Sequence, residues 1–246
     1  MILPLLLAAL LPATAGDTGQ VWRASAGYGF EAFTAQRATW QAYQTRVERR
    51  FRDGSLALEL GDASRFSLWD QTVTLDGYRT LWRRAYGHLA LAVGPGARVL
   101  PRSDVSGEIH QGFAGGWEVS AGYRHMSFVG QGVGIWHASL AKYAGDWYLH
   151  ARATAVPQAG KLGGGLALEA RRYLATADDY LDVMGGAGNE VVTLASGPVV
   201  AASRFLAGRY QGFFTRHLGA TIGGTWNAQQ GIPDRRGLTV GVLYRW

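Results

Sequence analysis

Alternation of apolar and polar side chains with a period of two runs from Val21 to the last residue, in blocks of about ten residues separated by turn-forming residues. A period of two is that of a β-strand. Strands of soluble sheets average about five or six residues, whereas a tilted strand that crosses a bilayer needs about nine to eleven. The block length therefore predicts a membrane β-barrel and disfavours a soluble sandwich.

Fourteen blocks can be drawn, and the even count predicts that both ends of the chain lie on the periplasmic side. The blocks are 20–31, 40–51, 55–66, 69–80, 85–93, 105–113, 117–127, 132–143, 146–156, 162–174, 180–187, 198–214, 218–228 and 237–246. We predict an all-β fold, a transmembrane antiparallel up-and-down β-barrel of about 14 strands. Counts of 12 or 16 stay open, because block 180–187 is short and block 198–214 is long.

The links between blocks alternate in length, which is typical of a barrel with short turns on one rim and long loops on the other. Tight turns are expected at 52–54, 114–116, 144–146 and 215–217, and longer links at 32–39, 94–104, 157–161, 189–197 and 229–236.

The last block is expected to close the barrel against the first. Its apolar face comprises Leu238, Val240, Val242, Tyr244 and Trp246, and Leu243 alone breaks the alternation. An aromatic residue at the end of such a strand suits the membrane–water boundary. We expect this end to be recognised by the barrel-assembly machinery.

The N-terminal residues predict export. An apolar run, Ile2–Leu11, precedes Ala13-Thr14-Ala15, which is a small-residue cleavage pattern, so residues 1–15 are interpreted as a secretory signal peptide and 16–246 as the barrel domain. The run is too short to cross a bilayer as a helix, which needs about 20 residues. The chain has no cysteine, which excludes disulfides and thiolate metal sites.

Charge argues for a membrane environment and against nucleic acid. Charged residues are 17% of the chain, below the roughly 25% of soluble domains. The net charge is +6, but the arginines alternate with acids and aromatics instead of forming a basic block, so we predict no nucleic-acid partner. Arginines facing phosphate headgroups predict contact with outer-membrane lipid and lipopolysaccharide. No motif indicates a cofactor or a metal.

Parity assigns two sets of residues. The polar set, expected to line the lumen, is Arg46, Glu48, Arg50, Glu59, Asp70, Asp76, His88, Glu108, His110, Glu118, Arg124, His150, Arg152, Glu169 and Arg171. The aromatic set, expected at the membrane interfaces, is Trp69, Trp117, Tyr123, Trp147, Tyr244 and Trp246. The polar set could line a conduit for a polar polymer, or it could form ion-pair ladders that stiffen a narrow barrel.

His125 and Ser127 form a His-x-Ser pair on one strand face, outward by parity. Outer-membrane lipid hydrolases of the phospholipase or lipid A deacylase type use such a pair with a third polar group. The facing strand is expected to offer His137 and Ser139, which supply neither an acid nor an amide.

Several segments resemble one known family. They are Trp117–Arg124 (WEVSAGYR), Ala141–Tyr148 (AKYAGDWY), Arg171-Arg172-Tyr173 followed by Asp178-Asp179-Tyr180, and Ser64-Arg65-Phe66. The chain is similar in these segments to the YaiO-type outer-membrane β-barrel proteins, mainly between Ser64 and Gly188. The resemblance implies a barrel in the outer membrane of a Gram-negative bacterium. Similar barrels end some exopolysaccharide exporters after a TPR scaffold; here the scaffold would be a separate periplasmic chain.

These observations predict an outer-membrane protein that is not an enzyme, and that serves as a pore or an accessory barrel in exopolysaccharide export. Two alternatives stay open: a lipid hydrolase that uses His125 and Ser127, and a structural barrel with a plugged lumen.

Overall fold

A computed structural model describes residues 21–246 except 36–37, 159–160 and 195–196, and it shows a closed antiparallel barrel of 14 strands. The strands are β1 (Val21–Phe33), β2 (Trp40–Phe51), β3 (Gly54–Arg65), β4 (Leu68–Trp82), β5 (Ala85–Val93), β6 (Ser103–Gly112), β7 (Trp117–Ser127), β8 (Gly132–Ala144), β9 (Trp147–Gln158), β10 (Lys161–Tyr173), β11 (Tyr180–Leu194), β12 (Gly197–Phe213), β13 (Leu218–Gln229) and β14 (Ile232–Arg245). No helix of the described part is long and apolar enough to cross a membrane.

The prediction of a 14-stranded up-and-down barrel is confirmed, since each strand pairs with its neighbours in sequence and β14 pairs with β1. The two blocks of unusual length, 180–187 and 198–214, belong to one long hairpin. Block 180–187 is shorter than the observed strand, because β11 continues to Leu194, which pairs with Gly197 of β12. Small residues in this hairpin hide the alternation of large apolar and polar side chains on which the block boundaries depend. The predicted signal peptide, residues 1–15, lies outside the described residues.

We call the rim at which β1 begins and β14 ends the near rim, and the opposite one the far rim. The expected contrast between short and long links is wrong for most of the chain. Three of the five expected long links, 157–161, 189–197 and 229–236, lie largely in strands, and β3 joins β4 through Phe66 and Ser67 alone. Both turn residues have positive φ, 54° and 62°, as a two-residue hairpin turn matched to strand twist requires. The far-rim link 94–102 is long, but the near rim also carries a six-residue link, 174–179.

Two-fold alternation gives the barrel an apolar outer wall and a polar inner wall. In β14, Leu238, Val240, Val242 and Tyr244 are exposed on the outside, while Leu243 is 6% exposed on the inside. A closed barrel pairs its backbone N–H and C=O groups within the sheet, which is what allows strands to cross hydrocarbon. The outer apolar side chains are therefore suited to lipid and the inner polar ones to water.

The ends of the chain close the wall. Trp22 and Trp246 exchange two backbone hydrogen bonds of 3.0 Å each. Their rings stack with centroids 6.2 Å apart and planes 8° from parallel. Trp246 therefore extends the β1–β14 pairing to the last residue of the chain.

The aromatic residues expected at the interfaces lie on the outer face in two belts. Trp117, Trp147, Tyr244 and Trp246 are at the near rim, and Trp69 and Tyr123 are toward the far rim. Five of the six are more than a third exposed, and Trp246 is half-buried by its stacking on Trp22. This double belt is the arrangement that amphipathic rings adopt at the two surfaces of a bilayer.

Candidate functional site

The strand register places the predicted lumen residues on the inner face, where acids and bases alternate around the wall. Between β2 and β5, Arg46 contacts Asp76 at 2.5 Å and Glu59 at 3.6 Å. His88 Nε2 lies 2.7 Å from the same Asp76 carboxylate. One aspartate thus joins cationic or titratable partners on two other strands, and the contact across β3 is possible because the side chains converge on the concave side.

Glu108 of β6 contacts side chains of β7, β8 and β9 on the inner wall. It accepts a hydrogen bond from Ser120 at 2.5 Å and two from Arg152 at 3.0 Å each. Its Oε2 also lies 3.1 Å from His137 Nε2 on β8. Gly122 occupies the register position between Glu108 and His137, and an added Cβ would collide with the histidine ring. The missing side chain is what lets β6 and β8 meet across β7.

A second network covers β9 to β12. His150 Nδ1 lies 3.4 Å from Glu169, and Arg171 contacts Glu169 at 2.8 Å and Asp182 at 3.2 Å. Arg209 contacts Asp182 at 2.8 Å. Glu118 of β7 lies between this network and the contacts around Asp76, and it contacts His110 at 3.3 Å. The inner wall is therefore lined by partnered charges of both signs from β2 to β12.

Tyrosines form a second layer of the inner wall, close to the near rim. This tyrosine arc comprises Tyr78, Tyr86, Tyr143, Tyr148, Tyr173 and Tyr180. Tyr78 stacks on His88 and Tyr86 on His110, each with centroids 4.3 Å apart, and Tyr86 donates a 3.0 Å hydrogen bond to Glu118. The parity that Tyr86 shares with His88 could have identified it from sequence. The lumen thus offers flat aromatic faces beside carboxylates and guanidinium groups.

Asp70, expected to line the lumen, faces inward, but its carboxylate is hydrogen-bonded to the backbone of link 94–102. It is 3% exposed, and it accepts hydrogen bonds from the backbone N–H groups of Arg98, Val99 and Leu100 at 2.7–3.0 Å. The carboxylate therefore holds link 94–102 over the far rim, and it is covered by that link instead of lining open space.

An apolar cluster lies inside the barrel near the far rim. Met126, Phe128, Val133 and Val156 are each at most 8% exposed, and Val200 packs against them. Met126 follows the inward parity of Arg124, whose guanidinium pairs with Asp104 at 2.5 Å. Between β7 and β9 the inner wall is therefore apolar at the far rim, while it is charged and aromatic closer to the near rim.

At the near rim, link 174–179 folds inward and reaches the opposite part of the wall. Asp178 contacts Arg23 of β1 at 2.6 Å, Arg245 of β14 at 2.8 Å and Arg50 of β2 at 3.6 Å. Phe213 of β12 packs below Arg245, 4.0 Å from ring centroid to guanidinium carbon. Burial raises the pKa of Asp178, but hydrogen bonding and attraction to the three arginines outweigh it and hold the pKa below its usual value. We call Asp178 and its three arginines the near-rim clasp.

His125 and Ser127 lie on the outer face near the far rim. His125 Nδ1 is 3.5 Å from the Tyr123 hydroxyl, and within the described part of the chain no hydrogen bond joins His125 to Ser127. The expectation that His137 and Ser139 face this pair is wrong, because both point into the lumen toward Glu108 and Ser120. His125 pairs with Gly134 of β8, so it is Gly134 that shares its face of the sheet. His137 and Ser139 are three and five residues further along β8, and side chains at odd spacings in a strand face the opposite side.

The lumen histidines do not gather around a common point. In the part of the chain that the structure describes, no group of three or more His, Cys, Asp or Glu side chains could hold a metal ion. Each of the histidines at 88, 110, 137 and 150 instead contacts a carboxylate.

The closed barrel, its apolar wall between aromatic belts and its polar lumen define an outer-membrane β-barrel of a Gram-negative bacterium. Residues 22–191 match the family described as the YaiO membrane beta barrel domain, and the chain belongs to that family. The resemblance seen in the sequence is thereby confirmed. No curated protein matches the chain significantly.

Solved structures of outer-membrane barrels share the fold at low identity. The CymD monoaromatic hydrocarbon channel has a TM-score of 0.60 and 7% identity, covering 92% of this chain and 88% of that one. The Acinetobacter baumannii outer membrane protein Omp33 has a TM-score of 0.54 and 10% identity, covering 93% and 98%. An anion-selective porin from Comamonas acidovorans has a TM-score of 0.50 and 7% identity, covering 92% and 98%. At such identities the likeness shows the fold alone.

Proposed function

We propose that the barrel is a non-enzymatic pore for a polar polymer, a polysaccharide exported across the outer membrane. One observation carries the proposal: four arginines of the inner wall remain open to water although they are partnered. Arg50, Arg124, Arg152 and Arg209 face the lumen and yet have 37–46% of their side-chain surface exposed. A lumen filled by its own side chains would bury these groups.

The tyrosine arc favours a carbohydrate as the substrate of the proposed pore. Sugar rings present C–H faces that pack on aromatic rings and hydroxyl groups that exchange hydrogen bonds with carboxylates and guanidinium groups. Tyr78 and Tyr143, 42% and 44% exposed, offer such faces to a lumenal ligand. Partnered charges of both signs favour a polar polymer over a simple ion, because no single sign dominates the wall.

The pore would work with a separate periplasmic scaffold. The near-rim clasp closes part of the periplasmic mouth, and the link held by Asp70 lies over the other mouth. A polymer delivered from the periplasm would meet the clasp first and the tyrosine arc next.

Single-channel recording of the refolded barrel tests the proposal, with dextran added from either side as the polymer probe. We expect conductance in wild type and dextran-dependent blocking events that shorten in Tyr78→Ala and in Tyr143→Ala. Tyr210→Ala is the matched control, since Tyr210 is a 43% exposed tyrosine of the outer wall. A protein that neither conducts nor binds dextran would favour the structural barrel.

The hydrolase alternative has no support in the geometry of the described residues. Among the described residues the His125 ring is hydrogen-bonded to the Tyr123 hydroxyl at 3.5 Å, and neither Ser127 nor a carboxylate or amide is hydrogen-bonded to that ring.

A further inference from the structure

The outer wall carries an apolar groove that the pore does not use. It has a volume of about 990 Å³ and lies across β3 to β8, starting at the near rim. This is at the upper end of the range for small-ligand sites, about 300–1,000 Å³. Most of the surrounding outer wall is studded with leucine, valine and aromatic side chains, so a depression of this size requires a local cause.

Glycines provide that cause. Gly77, Gly87 and Gly107 face outward on three consecutive strands and form the floor of the groove. Leu89 and Ile109, both more than half exposed, stand beside them as walls. Nothing approaches closer than 4.0 Å to the position of a Cβ on Gly107, so at this position the floor is open space that a side chain could fill, whereas a Cβ on Gly77 or Gly87 would lie 3.0 Å or 3.2 Å from the nearest atom.

Arginines surround the end of the groove at the near rim. Arg79 lines the groove with 78% of its side chain exposed, and its salt-bridge partner is Asp53, itself 61% exposed, at 3.6 Å. Arg52, Arg83 and Arg84 are exposed in the two adjoining turns. Four arginines against one aspartate make this a positively charged border, and arginine forks are matched to phosphate oxygens.

The bilayer surface passes through the same border. Trp82, 55% exposed, stands between Arg79 and Arg83 and donates its indole N–H to Gln111 at 2.8 Å. An exposed tryptophan anchored in this way lies at headgroup level. The apolar groove thus extends from the periplasmic headgroup layer into the hydrocarbon, with its cations where lipid phosphates are.

We propose that this groove is a specific site for an anionic glycerophospholipid of the inner leaflet, with one acyl chain along the Gly77–Gly87–Gly107 floor and the phosphate on the arginine border. Charge complementarity selects the headgroup, and the shape of the floor selects the chain. The site is distinct from the lumen, and the inference does not depend on what passes through the pore.

Native mass spectrometry of the refolded full barrel, released from detergent after incubation with phosphatidylglycerol, tests the site. We expect wild type to retain one phosphatidylglycerol molecule. Gly107→Leu, which fills the floor, should lower its occupancy at least tenfold. Gly208→Leu is the matched control, because Gly208 is also outward-facing with nothing closer than 3.9 Å to its Cβ position.

A second pair of substitutions tests the arginine border separately from the floor of the groove. Arg79→Gln combined with Arg83→Gln should also lower phosphatidylglycerol occupancy at least tenfold while leaving the floor intact. Folding of each variant is checked by its heat-dependent shift in gel mobility, and Gly107→Ala replaces Gly107→Leu if the latter fails to fold. Equal occupancy in wild type and the floor variant would overturn the site. So would equal retention of neutral diacylglycerol, or a dimer that disappears in Gly107→Leu without any bound lipid.

Discussion

Neutralising the near-rim clasp should destabilise the barrel measurably. Asp178→Asn keeps the shape of the side chain and removes the charge that Arg23, Arg50 and Arg245 share. The contact with Arg50 counts for little, because it is 3.6 Å long and Arg50 is 42% exposed. The other two are short, and hydrogen bonds to charged groups contribute about 1.5–3 kcal/mol each. Since the retained amide recovers part of this, we expect a loss of about 2–4 kcal/mol in the free energy of unfolding.

Urea titration of the barrel refolded into lipid vesicles, followed by tryptophan fluorescence, measures this loss. Asp53→Asn is the matched control at the same rim, because Asp53 and its partner Arg79 are 61% and 78% exposed. Its effect should stay within about 0.5 kcal/mol. Equal effects of the two substitutions, or no effect of Asp178→Asn, would refute the clasp as a stabilising contact.

The clasp also predicts a pH dependence with a definite sign. The pKa of Asp178 is held below its usual value, so the unfolded chain takes up this proton at a higher pH than the folded one. Its contribution is therefore complete above the unfolded value of about 3.9 and is lost as the pH falls through the lower folded value. The difference between wild type and Asp178→Asn should be constant from pH 7 to about 5 and shrink below about 4. A difference that grows on acidification would contradict this assignment.

Changes at Trp246, Gly122 and Ser127 have measurable expected outcomes. Deleting Trp246 removes the residue that stacks on Trp22 and exchanges two backbone hydrogen bonds with it. This deletion should lower membrane insertion in cells more than any lumen substitution does. The amount of heat-resistant folded protein in membrane fractions measures the insertion. Gly122→Ala should cost about 1–3 kcal/mol in urea unfolding, because its methyl group would collide with the Gly107 carbonyl oxygen and with the His137 ring, which it must displace from Glu108; a neutral result would mean that the bridge across β7 is dispensable. Ser127→Ala should leave phospholipid and lipid A unhydrolysed, as in wild type; activity in wild type that this change abolishes would revive the hydrolase.

The fold was predictable from the sequence because alternate residues of each strand face lipid and water, and therefore alternate between apolar and polar side chains. Lipid on one side and water on the other leave a period-two pattern that holds in β9, where Leu149 faces out and His150 faces in. The pattern needs large side chains to be visible. It therefore failed in the small-residue hairpin of β11 and β12, where the turn lies beyond the predicted block.

The candidate site was predictable residue by residue but not as a network. Parity indicates that Glu108 faces inward, and it cannot show that Gly122 opens a path to His137. Likewise the role of Asp70 depends on a link that folds back onto it, and the role of Asp178 depends on arginines from strands at both ends of the chain. Such contacts are set by closure in three dimensions, and no local pattern encodes them.

The seam between Trp22 and Trp246 has a consequence for how the barrel is made. The two residues come from opposite ends of the described chain, so the pairing that removes the last open sheet edges is also the contact of greatest sequence separation. Loop-closure entropy must be overcome before that contact contributes any stability, which makes closure slow. Until it forms, β1 and β14 present unpaired N–H and C=O groups that can recruit other chains. The interval before closure is therefore when this protein is most prone to aggregate, and when a chaperone that covers either edge would matter most.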